Sequence, residues 1–292
     1  MKHKAGFVNI IGSPNVGKST LINQLIGEQL AIISPKAQTT RHRILAIKNH
    51  DDYQIVFSDT PGIIDPAYKL QEGMMKMVRE SLEDADIILL MVESGQKRLP
   101  DHKFIDKVKQ ADIPVILLIN KVDQSDQNAL GEQIEHWANE FEGIEILPIS
   151  ALHNFNIDLL EKRILELLPE HPAFYPKTDY TDRSERFIVE EKIREKILLN
   201  FKQEVPYSVE IKVEEFKEEE DIIRIRAVIH TARESQRGIL IGKGGKMIKL
   251  IGKESRIDLE KFFDKKIFLD LHIKVKKDWR DDESQLKRFG YL

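Results

Sequence analysis

The sequence predicts an α/β unit with a mixed, mostly parallel sheet, followed by a smaller α+β unit. Three observations carry this. Between residues 7 and 168, short apolar runs alternate with amphipathic segments of helical period. That is the pattern of parallel strands whose crossover helices cover both faces of a sheet. The stretch Pro169-Glu170-His171-Pro172-Ala173-Phe174-Tyr175-Pro176 then breaks the alternation. Beyond it the order becomes helix, two strands, two helices and a strand.

In chain order, an apolar strand over 7–11 meets a glycine-bearing turn and a helix over 21–26. A polar loop, 33–43, precedes strands 44–48 and 53–58. Their four-residue connection makes them an antiparallel hairpin, which adds one antiparallel edge strand. Helical spacing over 68–84 leads to the buried strand 87–92, then helix 101–110, strand 115–119, helix 128–141, strand 144–148 and helix 157–168. After the break, Ser184 is a plausible N-cap for a helix to 200. Strands 208–216 and 221–230, a short helix 234–241, a longer helix 246–263 and a strand 267–275 follow. Ile239, Leu240, Ile241, Ile248 and Leu250 read as core. The boundaries are 1–172 for the first domain, 173–183 for a linker, 184–277 for the second domain and 278–292 for a C-terminal tail.

With 292 residues there is room for two cores. The absence of cysteine excludes disulfides and thiolate metal sites. No signal peptide is expected, and no apolar run reaches membrane-spanning length. The net charge of −4 is unevenly spread: residues 1–180 hold 19 Lys/Arg against 26 Asp/Glu, and residues 181–292 hold 26 against 23. Residues 233–277 alone carry 13 bases and six acids. A localised basic segment in an acidic chain points to binding a polyanion at one place.

The chemistry begins at Gly12-Ser13-Pro14-Asn15-Val16-Gly17-Lys18-Ser19-Thr20, between a strand and a helix. Glycines let successive N–H groups wrap phosphate oxygens, and the helix N-terminus adds positive potential. Lys18 would reach the outer phosphates and Ser19 would ligate Mg2+. Asp59-Thr60-Pro61-Gly62 ends a strand, where Asp59 would hold the metal through water and the Gly62 N–H would meet the terminal phosphate. Asn120-Lys121-Val122-Asp123 ends another. The Asp123 carboxylate accepts two hydrogen bonds from guanine and none from adenine, a difference worth roughly 10⁴-fold. Ser150-Ala151-Leu152 would present a backbone N–H to guanine O6. Taken in order, these motifs select GTP over ATP. Loop 33–43 reads as the first switch, with Thr40 or Thr39 completing the metal's coordination. Ile63 stands where many GTPases carry a water-orienting glutamine, so hydrolysis would be slow or assisted. In the second unit, Gly242-Lys243-Gly244-Gly245 lies between two helices, the arrangement of a KH clamp on single-stranded nucleic acid. Arg233, Arg237, Lys246 and Lys249 surround it.

These motifs, with Ser34 to Arg43, Glu204-Val205-Pro206-Tyr207-Ser208 and Asp278-Trp279-Arg280-Asp281-Asp282-Glu283, make the chain resemble the bacterial Era GTPase family over essentially its whole length. The resemblance implies a Ras-like P-loop domain followed by a type II KH domain. It implies GTP hydrolysis to GDP coupled to 16S rRNA binding near the 3′ end, in maturation of the small (30S) subunit. It also implies a cytoplasmic monomer with peripheral association with the inner face of the cell membrane. Asn15 matches an asparagine that helps hold a catalytic K+ in related GTPases. The expected catalytic set is therefore Lys18, Asn15, Thr40 and Gly62.

A second reading keeps the RNA-binding assembly factor but makes the nucleotide structural and its turnover incidental. The lack of a glutamine at position 63 favours it. A third, a related GTPase of tRNA modification or translation, is opposed by the KH-like second half.

Overall fold

The computed structural model describes residues 3–27, 31–34, 36 and 38–292; Pro35 and Ala37 of the expected switch loop lie outside them. The chain divides into two compact units, the first running to Asp182 without Tyr68–Leu70 and the second comprising Arg183–Leu292 with Tyr68–Leu70.

The first unit contains β1 (Lys4–Gly12), α1 (Lys18–Ile26), β2 (Ile44–Asn49), β3 (Tyr53–Asp59), α2 (Lys69–Glu80), β4 (Ile87–Glu93), α3 (His102–Lys109), β5 (Val115–Asn120), α4 (Gln127–Glu140), β6 (Glu145–Pro148) and α5 (Ile157–Leu167). Its sheet order is β2-β3-β1-β4-β5-β6. All neighbours are parallel except the hairpin pair β2 and β3, as the short connection predicts.

Alternation of side chains along each strand builds two apolar layers. Ile10, Leu89 and Met91 pack with Leu21 and Leu25 of α1 and Leu160 and Ile164 of α5. The adjacent Ile11, Leu90 and Val92 point the other way, to Val78 of α2, Phe104 and Val108 of α3 and Trp137 of α4. Parallel pairing puts the C-terminal ends of β1, β3, β5 and β6 at one edge, where ligands of such sheets bind.

The stretch 173–182 runs along the hairpin. Gln54 accepts from the Phe174 and Tyr175 N–H groups at 2.7 and 3.0 Å and donates to the Tyr175 carbonyl at 2.9 Å. The Ile47 N–H donates to the Tyr180 carbonyl at 2.9 Å, and the Leu45 N–H to Asp182 Oδ1 at 3.0 Å. Ala46 and Thr181 form an antiparallel bridge.

The second unit contains α6 (Glu185–Asn200), β7 (Val209–Glu218), β8 (Ile222–Thr231), α7 (Glu234–Ile241), α8 (Lys246–Phe263), β9 (Lys266–Val275) and α9 (Glu283–Phe289). The sheet order is β7-β8-β9, antiparallel then parallel. Ser184 caps α6, its hydroxyl accepting from the Phe187 N–H at 3.4 Å. Val189, Ile193 and Ile197 of α6 close over Ile211, Ile225 and Ile229, together with Leu240 and Ile251. Three residues read as core lie outside it: Ile241 is half-buried, Ile239 is 48% and Leu250 36% exposed. Each neighbours an inward residue, Leu240 or Ile251, and one step along a helix turns a side chain by about 100°. The segment 278–292 packs firmly. Trp279 is fully buried and donates from Nε1 to the Ser208 carbonyl at 3.0 Å, and the Tyr291 hydroxyl donates to Glu210 at 2.8 Å. Among the described residues no helix is long and apolar enough to cross a membrane.

Candidate functional site

The loop after β1 needs glycine at position 17. There φ is +103°, and a Cβ would sit 2.4 Å from Asn120 Nδ2. Such a backbone is open only to glycine. It starts α1 at Lys18, three residues before the apolar pattern does, so the helix N-terminus faces the loop's concavity. A cleft of about 630 Å³ opens there, lined by Pro14, Asn15, Gly17 to Thr20, Thr40, Gly62, Asn120, Lys121, Asp123, Ser150 and Leu152, among others.

At the phosphate end, Lys18 is 6% exposed and donates to the Gly12 and Ser13 carbonyls at 3.2 and 3.0 Å. Burial pulls its ammonium down to about 8, against the opposing field of Asp59. Two hydroxyls converge on Asp59 Oδ2, that of Ser19 at 2.9 Å and that of Thr40 at 3.0 Å, and lie 3.1 Å from each other. Thr39 is turned away, donating to the Lys36 carbonyl at 2.6 Å. Of the two threonines, Thr40 is the one whose hydroxyl meets Asp59. Two hydroxyls and a carboxylate form a hard-oxygen donor set that fits Mg2+.

The neighbouring predicted residues have structural partners. Thr60 donates to the Ile10 carbonyl at 2.8 Å, and Thr60 and Pro61 are buried. Gly62 reaches the cleft, and the next N–H, that of Ile63, is anchored on the Gly12 carbonyl at 2.9 Å. The Ile63 side chain is fully buried in the layer with Met75 and Val78. Position 63 is thus a core position and directs nothing at the cleft. Asn15, at φ +64°, lines the cleft.

At the other end, Asn120 ties two loops together. Its Nδ2 donates to the Val16 carbonyl at 2.7 Å and its Oδ1 accepts from the Ala151 N–H at 2.9 Å. The Ala151 N–H is therefore already engaged within the protein. Ser150 donates to Asp123 Oδ1 at 2.6 Å, which fixes the carboxylate, and His153 Nε2 lies 3.7 Å from Oδ2. Lys121 pairs with Glu93.

One participant had no sequence signal. Gln96 donates to Ser13 Oγ at 2.8 Å, and Gln133 donates to the Gln96 carbonyl and accepts from the Gly95 N–H, at 2.9 and 3.0 Å. This tethers the loop after β4 to the phosphate loop. Lone glutamines in polar segments carry no periodicity or motif that would mark them.

In the second unit, α7 ends at Ile241 and α8 starts at Lys246, with Gly242, Gly244 and Gly245 at φ of +69°, +62° and +75°. At Gly242 a Cβ would stand 2.6 Å from Met247 Cγ. Arg233, Arg237, Lys243, Lys246 and Lys249 are all exposed around this turn. Arg237 lies 3.3 Å from Glu234, and the Arg233 N–H donates to Gln236 at 2.9 Å.

A family model described as "50S ribosome-binding GTPase" matches residues 7–121, and one described as "KH domain" matches residues 204–280. The GTPase Era of Thermoanaerobacter sp. (strain X514) is 46% identical over 294 aligned residues, covering 100% of this chain and 97% of the relative. A crystal structure of Era with MgGDPNP and nucleotides 1506–1542 of 16S ribosomal RNA is 39% identical, covers 99% of both chains and has a TM-score of 0.94. A variant of Aquifex aeolicus Era bound to GDP and AlF4⁻ has a TM-score of 0.95 at the same identity. With phosphate loop, guanine-side loops and glycine turn in the same order on the same two units, the chain belongs to the Era GTPase family.

Proposed function

We propose that the chain binds and hydrolyses GTP in the first unit's cleft and uses its nucleotide state to govern binding of 16S rRNA, near its 3′ end, by the second. The reading places this activity in maturation of the small ribosomal subunit. The observation that carries it is one cleft with a Ser19–Thr40–Asp59 oxygen cluster at one end and an Asp123 carboxylate fixed by Ser150 at the other. The RNA half is supported by the relative crystallised on 16S rRNA.

In this reading Ser13 to Thr20 wrap the phosphates with backbone N–H groups. Lys18 exchanges its two carbonyl partners for phosphate oxygens, and Asp123 selects guanine. Ser19, Thr40 and Asp59 hold Mg2+, which supplies charge neutralisation on the phosphate oxygens. Thr40 and the Gly62 N–H are the parts that sense the terminal phosphate. Ile63, apolar and buried, does not orient the water; in this reading Asn15, on the cleft wall, would hold a K+ that assists. Gly242 to Gly245 would grip the RNA backbone, with Arg233, Arg237, Lys243 and Lys246 neutralising it. The family resemblance is the support for a cytoplasmic location with peripheral contact at the membrane's inner face.

A ligand shifts an equilibrium only by its differential affinity for the two states. RNA carrying the 16S 3′-terminal sequence should therefore bind the full chain tighter with a GTP analogue than with GDP. Equal affinities by fluorescence titration would remove the coupling and favour a passive RNA-binding factor with a structural nucleotide.

A further inference from the structure

The second unit has another concavity, of about 470 Å³, walled by β7, the ends of β8 and β9, and α9. None of its lining residues comes from α7, the 242–245 turn or α8. The His230 and Phe289 rings line it, 5.5 Å apart. Lys276 lies over Phe289, Nζ to ring centre 5.4 Å, and Arg288 and Lys274 complete a ring of cations.

The charge in this pocket is only partly answered. Lys274 is paired with Glu214 at 3.0 Å, and Lys212 with Glu190 at 3.2 Å. Among the described residues neither Lys276 nor Arg288 forms an ion pair. Asp282, whose field reaches Lys276, caps α9 by accepting from the Ser284 and Gln285 N–H groups. Lys276 is pulled below its ordinary value, by burial first and then by Arg288. His230 is held down at about 4, by burial first and then by Lys276, Lys274 and Arg288, and its Nδ1 is buried with no hydrogen-bond partner.

An ammonium just past β9, a guanidinium of α9 and an imidazole of β8 thus line a space of small-ligand size. A carboxylate offers two oxygens to such a set; a phosphate offers three or more and up to two charges. We propose that this pocket binds the phosphate group of a phosphorylated ligand, gripped by Lys276 and Arg288 beside His230. Two sources share that chemistry: a free phosphate ester and a phosphate of an RNA strand.

The test uses the full chain with its first cleft saturated by GDP. Its readout is the His230 ring resonances, on adding inorganic phosphate in one arm and a short single-stranded RNA in the other. The signals should shift in at least one arm. In K276Q/R288Q the titration should weaken by roughly tenfold or more, as expected for losing charged hydrogen bonds. GTP turnover should stay unchanged, since neither residue touches the first cleft. A phosphate response assigns a free ester, and a response to RNA alone assigns the strand. No shift in either arm, or one that K276Q/R288Q leaves intact, overturns the proposal.

Discussion

Lys18 carries the sharpest conflict between burial and charge in the first unit. Its folded value of about 8 lies below the ordinary 10.5, so between those limits the unfolded chain binds more protons than the fold. The ligand-free fold therefore gains stability from this group as pH rises through the window. Phosphate contact restores the charge, so nucleotide binding should take up a proton there, and affinity should fall as pH rises past 8. Calorimetry at about pH 9 in buffers of differing ionisation heat checks this, and zero uptake would refute it. Asp123→Asn should erase the preference for GTP over ITP, which lacks the 2-amino group, a change of roughly tenfold to a hundredfold in competition binding. The identities at this scale were readable because each motif needs particular atoms. Orientation was not. Spacing treats Thr39 and Thr40 alike, and only the turn that sends Thr39 to the Lys36 carbonyl separates them. Nor does sequence tell that Ile63 is swallowed by the α2 layer.

Element boundaries show what periodicity misses. β1 begins at Lys4, three residues before the apolar run, because Lys4 to Gly6 pair with Tyr53 to Ile55 of β3. Pairing partners are remote in sequence and leave no local mark. Exposure of Ile239 and Leu250 has the same origin, since an apolar stretch on a short helix does not say which residue faces the sheet. The segment 278–292 gave a motif but no expected helix, although α9 anchors through Phe289, whose ring meets that of Trp279 edge-on at 5.4 Å. Trp279→Ala should cost about 3–5 kcal/mol, since it opens a cavity and leaves the Ser208 carbonyl without that donor. Urea unfolding of the second unit measures this, and a loss below about 1 kcal/mol would mean that the segment is dispensable.

For the whole molecule, fold class was legible because alternation and motif order agree: each phosphate- or base-side motif follows an apolar strand, and parallel pairing brings those strand ends together. Each unit closes its own apolar core. Where one unit gives way to the next was harder to read. Prolines and aromatics between 169 and 176 look like a spacer, yet the backbone through 182 is bound to β2 and Gln54. Hydrogen bonds of that kind have no compositional signature.

That binding has a practical consequence for anyone wishing to excise the nucleotide-binding half. β2 is the last strand of its sheet, and residues 179–182 shield its open side. A fragment ending at 172 would bare the Leu45 and Ile47 N–H groups beside apolar Leu45, Ile47 and Val56, an invitation to strand-to-strand association. A fragment ending at 182 keeps the shield. Light scattering should find the longer piece monodisperse and the shorter one self-associating; equal behaviour would show the shield to be unnecessary.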